Sequence, residues 1–261
     1  MKRISLTPSV IGIVLVYALL YVWQPGEIRV LNVVTDLLTA LLALLASFLA
    51  YKASRIFDAD TAARRAWLLF STGLAAMTTA ELVWAYYHIV LDQQIPFPSP
   101  ADILWAMSYL PIMASLILQY RALGVRASPR HKLIIAAACL MVLLIALATF
   151  VWPALSQPGL IATVDLLINV YYLLGDLSIA FVASLSLLFL WKGLVSSPWQ
   201  YMVVSVLLFV VADLAFFYAS ANALYATGSN WVSAIVDVFY LAAYVLAAAG
   251  GYRQLTLHLA A

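Results

Sequence analysis

Six acids stand inside long apolar runs, and they are where this sequence offers chemistry: Asp36, Glu81, Asp102, Asp176, Asp213 and Asp237. An ionised carboxylate at the centre of a lipid-facing helix costs about 2.5–3.5 kcal/mol, so each must turn toward other helices or toward water. Three resolutions are open. The acids are protonated and hydrogen-bonded to tyrosines and backbone carbonyls; or they coordinate a cation; or they line a hydrated pocket for a polar or cationic ligand.

Aromatic residues follow the acids at helical spacing. Trp105 and Tyr109 share the face of Asp102 at i+3 and i+7, and Tyr240 and Tyr244 stand in the same relation to Asp237. Trp84 and His88 are placed likewise after Glu81, and Phe216 and Phe217 lie a turn beyond Asp213. The candidate ligand-binding set is therefore Glu81, Trp84, Asp102, Trp105, Tyr109, Asp213, Asp237, Tyr240 and Tyr244. The alternative, that these rings are helix-packing residues whose polar tips satisfy the acids, stays open. Asp36 and Asp176 are followed by mostly small faces (Thr39, Ala40, Ala43; Ile179, Ala180, Ala183), which points to close helix packing instead. Asn32 and Tyr172, one turn before them, are their expected hydrogen-bond partners. Pro111 removes an amide donor within its helix, so a kink is expected just inward of Tyr109.

Other chemistry finds little support. A bis-histidine haem needs facing histidines at one depth, but His88 lies toward one surface and His131 and His258 toward the other. Gly175-Asp176 matches only part of an intramembrane aspartyl protease motif, since position 173 is Leu and no Pro-Ala-Leu follows. The last apolar segment has no lysine for a retinal Schiff base, and no zinc-type cluster of histidine and cysteine is present. Cys139, the single cysteine, cannot form an intrachain disulfide and reads as a small buried residue. No nucleophile can be matched with a base by spacing, so no enzyme, no cofactor and no metal centre is expected.

The elements that must position these side chains are set by composition. Of 261 residues, 66% are hydrophobic and 9% charged, far above the roughly 45–50% apolar content of a soluble domain. This is an all-α polytopic membrane protein. Eight segments reach spanning length, near 8–24, 30–52, 66–90, 99–121, 132–153, 165–191, 200–223 and 231–254, separated by short Pro, Gly and charged turns. Lys2 and Arg3 precede the first segment without a small-residue cleavage site, so a retained first helix is expected. Lys52, Arg55, Arg64, Arg65, Arg121, Arg126, Arg130, Lys132, Lys192 and Arg253 join that pair on one side of an eight-helix path, and only Arg29 falls on the other. The positive-inside rule then makes both termini cytoplasmic and turns the Pro-rich 91–100 loop outward. All six acids fall in the outer half, at a depth of roughly 5–15 Å. Trp23, Trp152, Trp199 and Trp231 sit near helix ends, where interfacial anchoring is expected. The net charge of +2 gives no reason to expect nucleic acid.

The chain also repeats itself. Asp36 precedes Lys52 by the interval at which Asp176 precedes Lys192, and Trp67 precedes Glu81 as Trp199 precedes Asp213. Val22-Trp23-Gln24-Pro25 and Val151-Trp152-Pro153 close the first helix of each copy. Residues 1–128 and 129–261 thus align as two parallel four-helix repeats related by an axis along the membrane normal, pairing Asp36 with Asp176, Glu81 with Asp213 and Asp102 with Asp237.

Pro96-Phe-Pro-Ser-Pro-Ala-Asp102 followed by Trp105, Tyr109 and Pro111, with Ala212-Asp213, Tyr225, Gly228, Asp237, Tyr240 and Tyr244, resembles the multi-helix membrane module found amino-terminal to many bacterial diguanylate cyclases, phosphodiesterases and sensor histidine kinases. The resemblance spans about residues 65–255. In that family the proline tends to follow the tyrosine directly, whereas Leu110 intervenes here, and no output domain follows Arg253, so either an excised module or a stand-alone relative that needs a partner is expected. The resemblance implies a multi-pass sensor of the bacterial inner membrane whose outward acidic and aromatic pocket, for an unknown small molecule or cation, signals to a cytoplasmic partner. A small proton-coupled or cation transporter and a structural subunit of a larger membrane complex are the competing expectations.

Overall fold

The computed structural model describes residues 7–24, 27–152, 163–190, 196–226 and 230–259. Lys2, Arg3, Pro25, Pro153, Lys192 and Gly228, all used in the sequence reading, lie outside them. Among the described residues the chain forms α1 (Thr7–Trp23), α2 (Ile28–Ser54), α3 (Ala62–Ile89), α4 (Pro100–Ala122), α5 (Pro129–Ala146), α6 (Thr163–Leu190), α7 (Ser197–Ala221) and α8 (Trp231–His258). Seven of these, α2 to α8, are long and apolar enough to cross a membrane; α1 is shorter, at 17 residues. The protein is a multi-pass membrane protein by this measure.

Helix ends follow local chemistry that a hydropathy window does not see. Thr61 accepts a hydrogen bond from the Arg64 amide and starts α3 four residues before the expected position 66. Ser128 and Asn230 accept from the His131 and Ser233 amides at the starts of α5 and α8. α5 runs on into a π-helical turn, Leu147–Val151. Pro111 lies within α4, which continues through it.

α2, α3, α4, α6, α7 and α8 pack side by side in that order and close into a ring, with α1 outside against α8 and α5 outside against α6. Outward faces carry the apolar side chains that lipid would solvate, such as Leu41, Leu44 and Phe48 of α2 and Leu133, Met141 and Leu144 of α5. Inward faces are small: Ala43, Ala46 and Ala50 of α2 are fully buried, and a Cβ on Gly251 of α8 would come within 2.8 Å of the Leu49 backbone. Hydroxyls tie neighbours together. Ser47 and Ser71 each donate to the other's carbonyl, at 3.2 and 2.9 Å, and Ser115 and Ser205 donate to Ala66 and Ala243 carbonyls at 2.7 Å.

Two halves of the ring differ. Toward the end that holds Lys52, Arg55, Arg64, Arg65, Arg121 and Arg253, the interior is filled by Trp67, Phe70, Leu74, Trp199, Met202 and Val203, all nearly inaccessible. Trp199 is therefore no interfacial anchor: it is 3% exposed and packs against Trp67 with ring centroids 4.9 Å apart and tilted by 46°. The reason is Gly250, where a Cβ would meet the Pro198 carbonyl at 2.9 Å, so the first turn of α7 closes against α8 and carries the indole inward. Trp23, Trp152 and Trp231 are exposed, as anchors are. Cys139 is half-buried on the α5–α6 seam rather than enclosed in the core. Toward the other end, where Arg29 pairs with Asp92 at 3.6 Å, the ring encloses a cavity.

Candidate ligand-binding site

The cavity has a volume of about 860 Å³ and is walled by side chains of every helix in the ring. All nine residues picked from the sequence line it, and so do Asp36 and Asp176. The small residues after those two acids suit close helix approach, as expected, and the acids also line the cavity, Asp176 almost inaccessible at 4% exposure.

Most of the acids are held by tyrosine. Tyr244 crosses the ring from α8 to donate to Glu81 Oε1 of α3 at 2.8 Å. Tyr240 donates to Asp213 Oδ1 at 2.5 Å, and Tyr109 of α4 donates to Asp176 Oδ1 of α6 at 2.7 Å. Asp176 and Asp213 both line the cavity, on the neighbouring helices α6 and α7. Asp237 receives a phenol on each oxygen, Tyr21 on Oδ2 and Tyr225 on Oδ1, both at 2.7 Å. Asp36 faces His88 Nδ1 at 2.9 Å.

Asp102 differs from the rest. Its Oδ2 accepts the Ser99 amide and the Ser99 hydroxyl, each at 2.7 Å, which makes it the acidic half of a cap on α4. Tyr172 then donates to the Asp102 carbonyl at 2.8 Å and to its Oδ1 at 3.1 Å. Tyr172 is thus the partner of Asp102 rather than of Asp176, and the Asn32 side-chain oxygen, expected to serve Asp36, is buried with no hydrogen-bond partner. A bond to the acid one turn along would lie parallel to the helix axis, whereas a phenol reaches sideways to the neighbouring helix more readily.

The walls between the acids are aromatic. Trp84 packs on Trp105 with centroids 5.9 Å apart and on His88 at 5.2 Å, and Phe216 lies 4.7 Å from Tyr225. Gly175 makes room for Tyr109, because a Cβ there would come within 2.5 Å of its ring. Sequence reasoning missed Tyr17, Tyr21 and Asp165, all of which line the cavity. For the tyrosines a signal existed, since they are the two polar side chains in the second half of α1 and stand four apart; Asp165 resembled an ordinary helix-start acid.

Among the described residues lining the cavity, His88 is the one basic side chain, against seven carboxyls. Such a site can bind and orient a polar or cationic molecule with an apolar body. No protein family, curated protein or solved structure matches the chain.

Proposed function

We propose that the protein is a ligand-binding sensor module of a bacterial inner membrane, with the acidic and aromatic cavity facing outward and a cytoplasmic partner reading the packed end. The observation that carries this reading is the division of one helix ring into a ligand-sized cavity and a solid core. A ligand drawing Glu81 of α3, Asp213 of α7 and Asp237 of α8 together would shift helices whose other ends pack through Trp67, Trp199 and Gly250. In this reading α1 also spans, giving eight helices in two parallel repeats with both termini cytoplasmic. Supporting the repeat, the three acid pairs stand on α2 and α6, α3 and α7, and α4 and α8, which are opposite positions in the ring. The sensor role follows the resemblance of the Pro96–Pro111 and Asp237–Tyr244 motifs to bacterial signalling modules.

The packed half argues for sensing over carriage, since alternating access needs an opening there. Reconstituted into liposomes under a pH or cation gradient, the protein should give no flux above empty liposomes. A gradient-driven flux that disappears with Glu81→Gln would establish the transporter reading instead. Crosslinking in native membranes should capture a soluble signalling protein; a stoichiometric membrane partner covering the cavity mouth would favour a structural subunit.

A further inference from the structure

Resting on the ligand-binding reading above, we propose that the cavity takes an organic cation, an alkylated ammonium on an apolar body, received in the corner formed by Trp84, Trp105 and Glu81. The two indoles stand 5.9 Å apart at 57° to one another, so they form two adjoining walls rather than a closed stack. Both are half-buried and both line the cavity. Glu81, one turn before Trp84 on α3 and lining the same cavity, supplies the carboxylate of the corner and is held by the Tyr244 hydroxyl at 2.8 Å. Two aromatic faces at an angle above a carboxylate are the geometry that recognises a quaternary or alkylated ammonium, through ring quadrupole and counter-charge together.

The wider cavity favours the same class. Asp237 takes a phenol on each oxygen, and no lysine or arginine lines the cavity among the described residues. His88 faces Asp36 and is the one basic side chain against seven carboxyls among the described lining residues. A small inorganic ion does not fit this layout, because among the described residues no three carboxyl, imidazole or thiol groups converge on a point. The acids are spread around about 860 Å³, which suits a charge distributed over alkyl groups on a body that fills the remaining space, where Phe216 and Phe217 lie.

The test uses the full chain in lipid nanodiscs and a matched pair of probes: benzyltrimethylammonium and neopentylbenzene, its uncharged counterpart of the same shape. Tryptophan fluorescence and melting temperature report binding. The expected result is saturable quenching and a raised melting temperature with the ammonium, at an affinity at least tenfold above that for the neutral compound. Trp84→Phe, which keeps an aromatic ring and the packing but weakens the attraction, should lower ammonium affinity by roughly two- to tenfold without touching the neutral probe. Glu81→Gln should erase the preference for charge. Equal affinity for the two probes overturns the cation assignment and leaves a ligand pocket standing, and displacement of the ammonium by equimolar sodium or calcium overturns it in favour of an inorganic ion. Binding of neither probe overturns it as well, and the sensor reading is then decided separately by the flux and crosslinking experiments.

Discussion

Tyr244 joins residues 163 positions apart in sequence when it donates to Glu81, and its own side chain is wholly buried. Removing the hydroxyl leaves Glu81 Oε1 short of its donor. Tyr244→Phe should therefore cost about 1–3 kcal/mol, the desolvation cost of an unsatisfied buried group, measured by thermal unfolding in a fixed detergent. Asp102 makes the contrasting case. Because its carboxylate is engaged by Ser99 and Tyr172, Asp102→Ala should lower stability by about 0.5–2 kcal/mol, the usual range for a lost cap. Its affinity for a cavity probe should change by less than about twofold, a difference near 0.4 kcal/mol. A large loss of probe affinity with unchanged stability would reverse that assignment. The sequence placed Asp102 correctly at a helix start inside an apolar run, but it could not tell a capping acid from a pocket acid. That distinction depends on whether Ser99 folds back, which is decided by the chain entering α4 through the Pro-rich loop.

At the scale of helices, glycine decides how near two axes come. Gly251 of α8 lies against α2, where a Cβ would meet the Leu49 carbonyl carbon at 2.8 Å and the Ala50 amide nitrogen at 3.0 Å, both backbone atoms that cannot rotate away. Gly251→Ala should push the α2–α8 seam apart and destabilise the protein by about 1–3 kcal/mol, as overpacking does. Gly12 of α1 has nothing within 4 Å of such a Cβ, so Gly12→Ala should be neutral or stabilising by up to about 1 kcal/mol through helix propensity. Paired melting curves of the two variants check the contrast; equal effects would mean that α2 and α8 do not approach so closely. The positions and lengths of the helices were largely legible from hydropathy, and the acids announced themselves because a carboxylate in an apolar run is costly. Helix neighbours were not legible. The α4–α6 contact and the α8-to-α3 reach of Tyr244 join segments far apart in the chain, and nothing in either segment names its partner. Trp199 was misplaced for the same reason: a tryptophan near a helix start has the pattern of an interfacial anchor until Gly250 on another helix lets it turn inward.

For the molecule as a whole, charge and cavity lie at opposite ends. Lys52, Arg55, Arg64, Arg65, Arg121, Arg126, Arg130, Lys132 and Arg253 belong to one end, while Arg29 at the other is matched by Asp92. A chain inserted by the positive-inside rule would keep the cationic end in the cytoplasm, because moving several guanidinium groups across the bilayer is far more costly than moving one neutralised pair. The cavity would then open to the outside, and the ligand would be met there. Cysteine mapping tests this directly in a Cys139→Ala background. Gln93 and Ala59 are both exposed, the first in the turn after α3 and the second in the turn between α2 and α3. In intact cells Gln93→Cys should react with a membrane-impermeant maleimide, and Ala59→Cys should react only after the membrane is permeabilised. The reverse pattern would place the cavity mouth in the cytoplasm, turn the packed core outward, and make the ligand a cytoplasmic one, so that the protein would report an internal rather than an external signal.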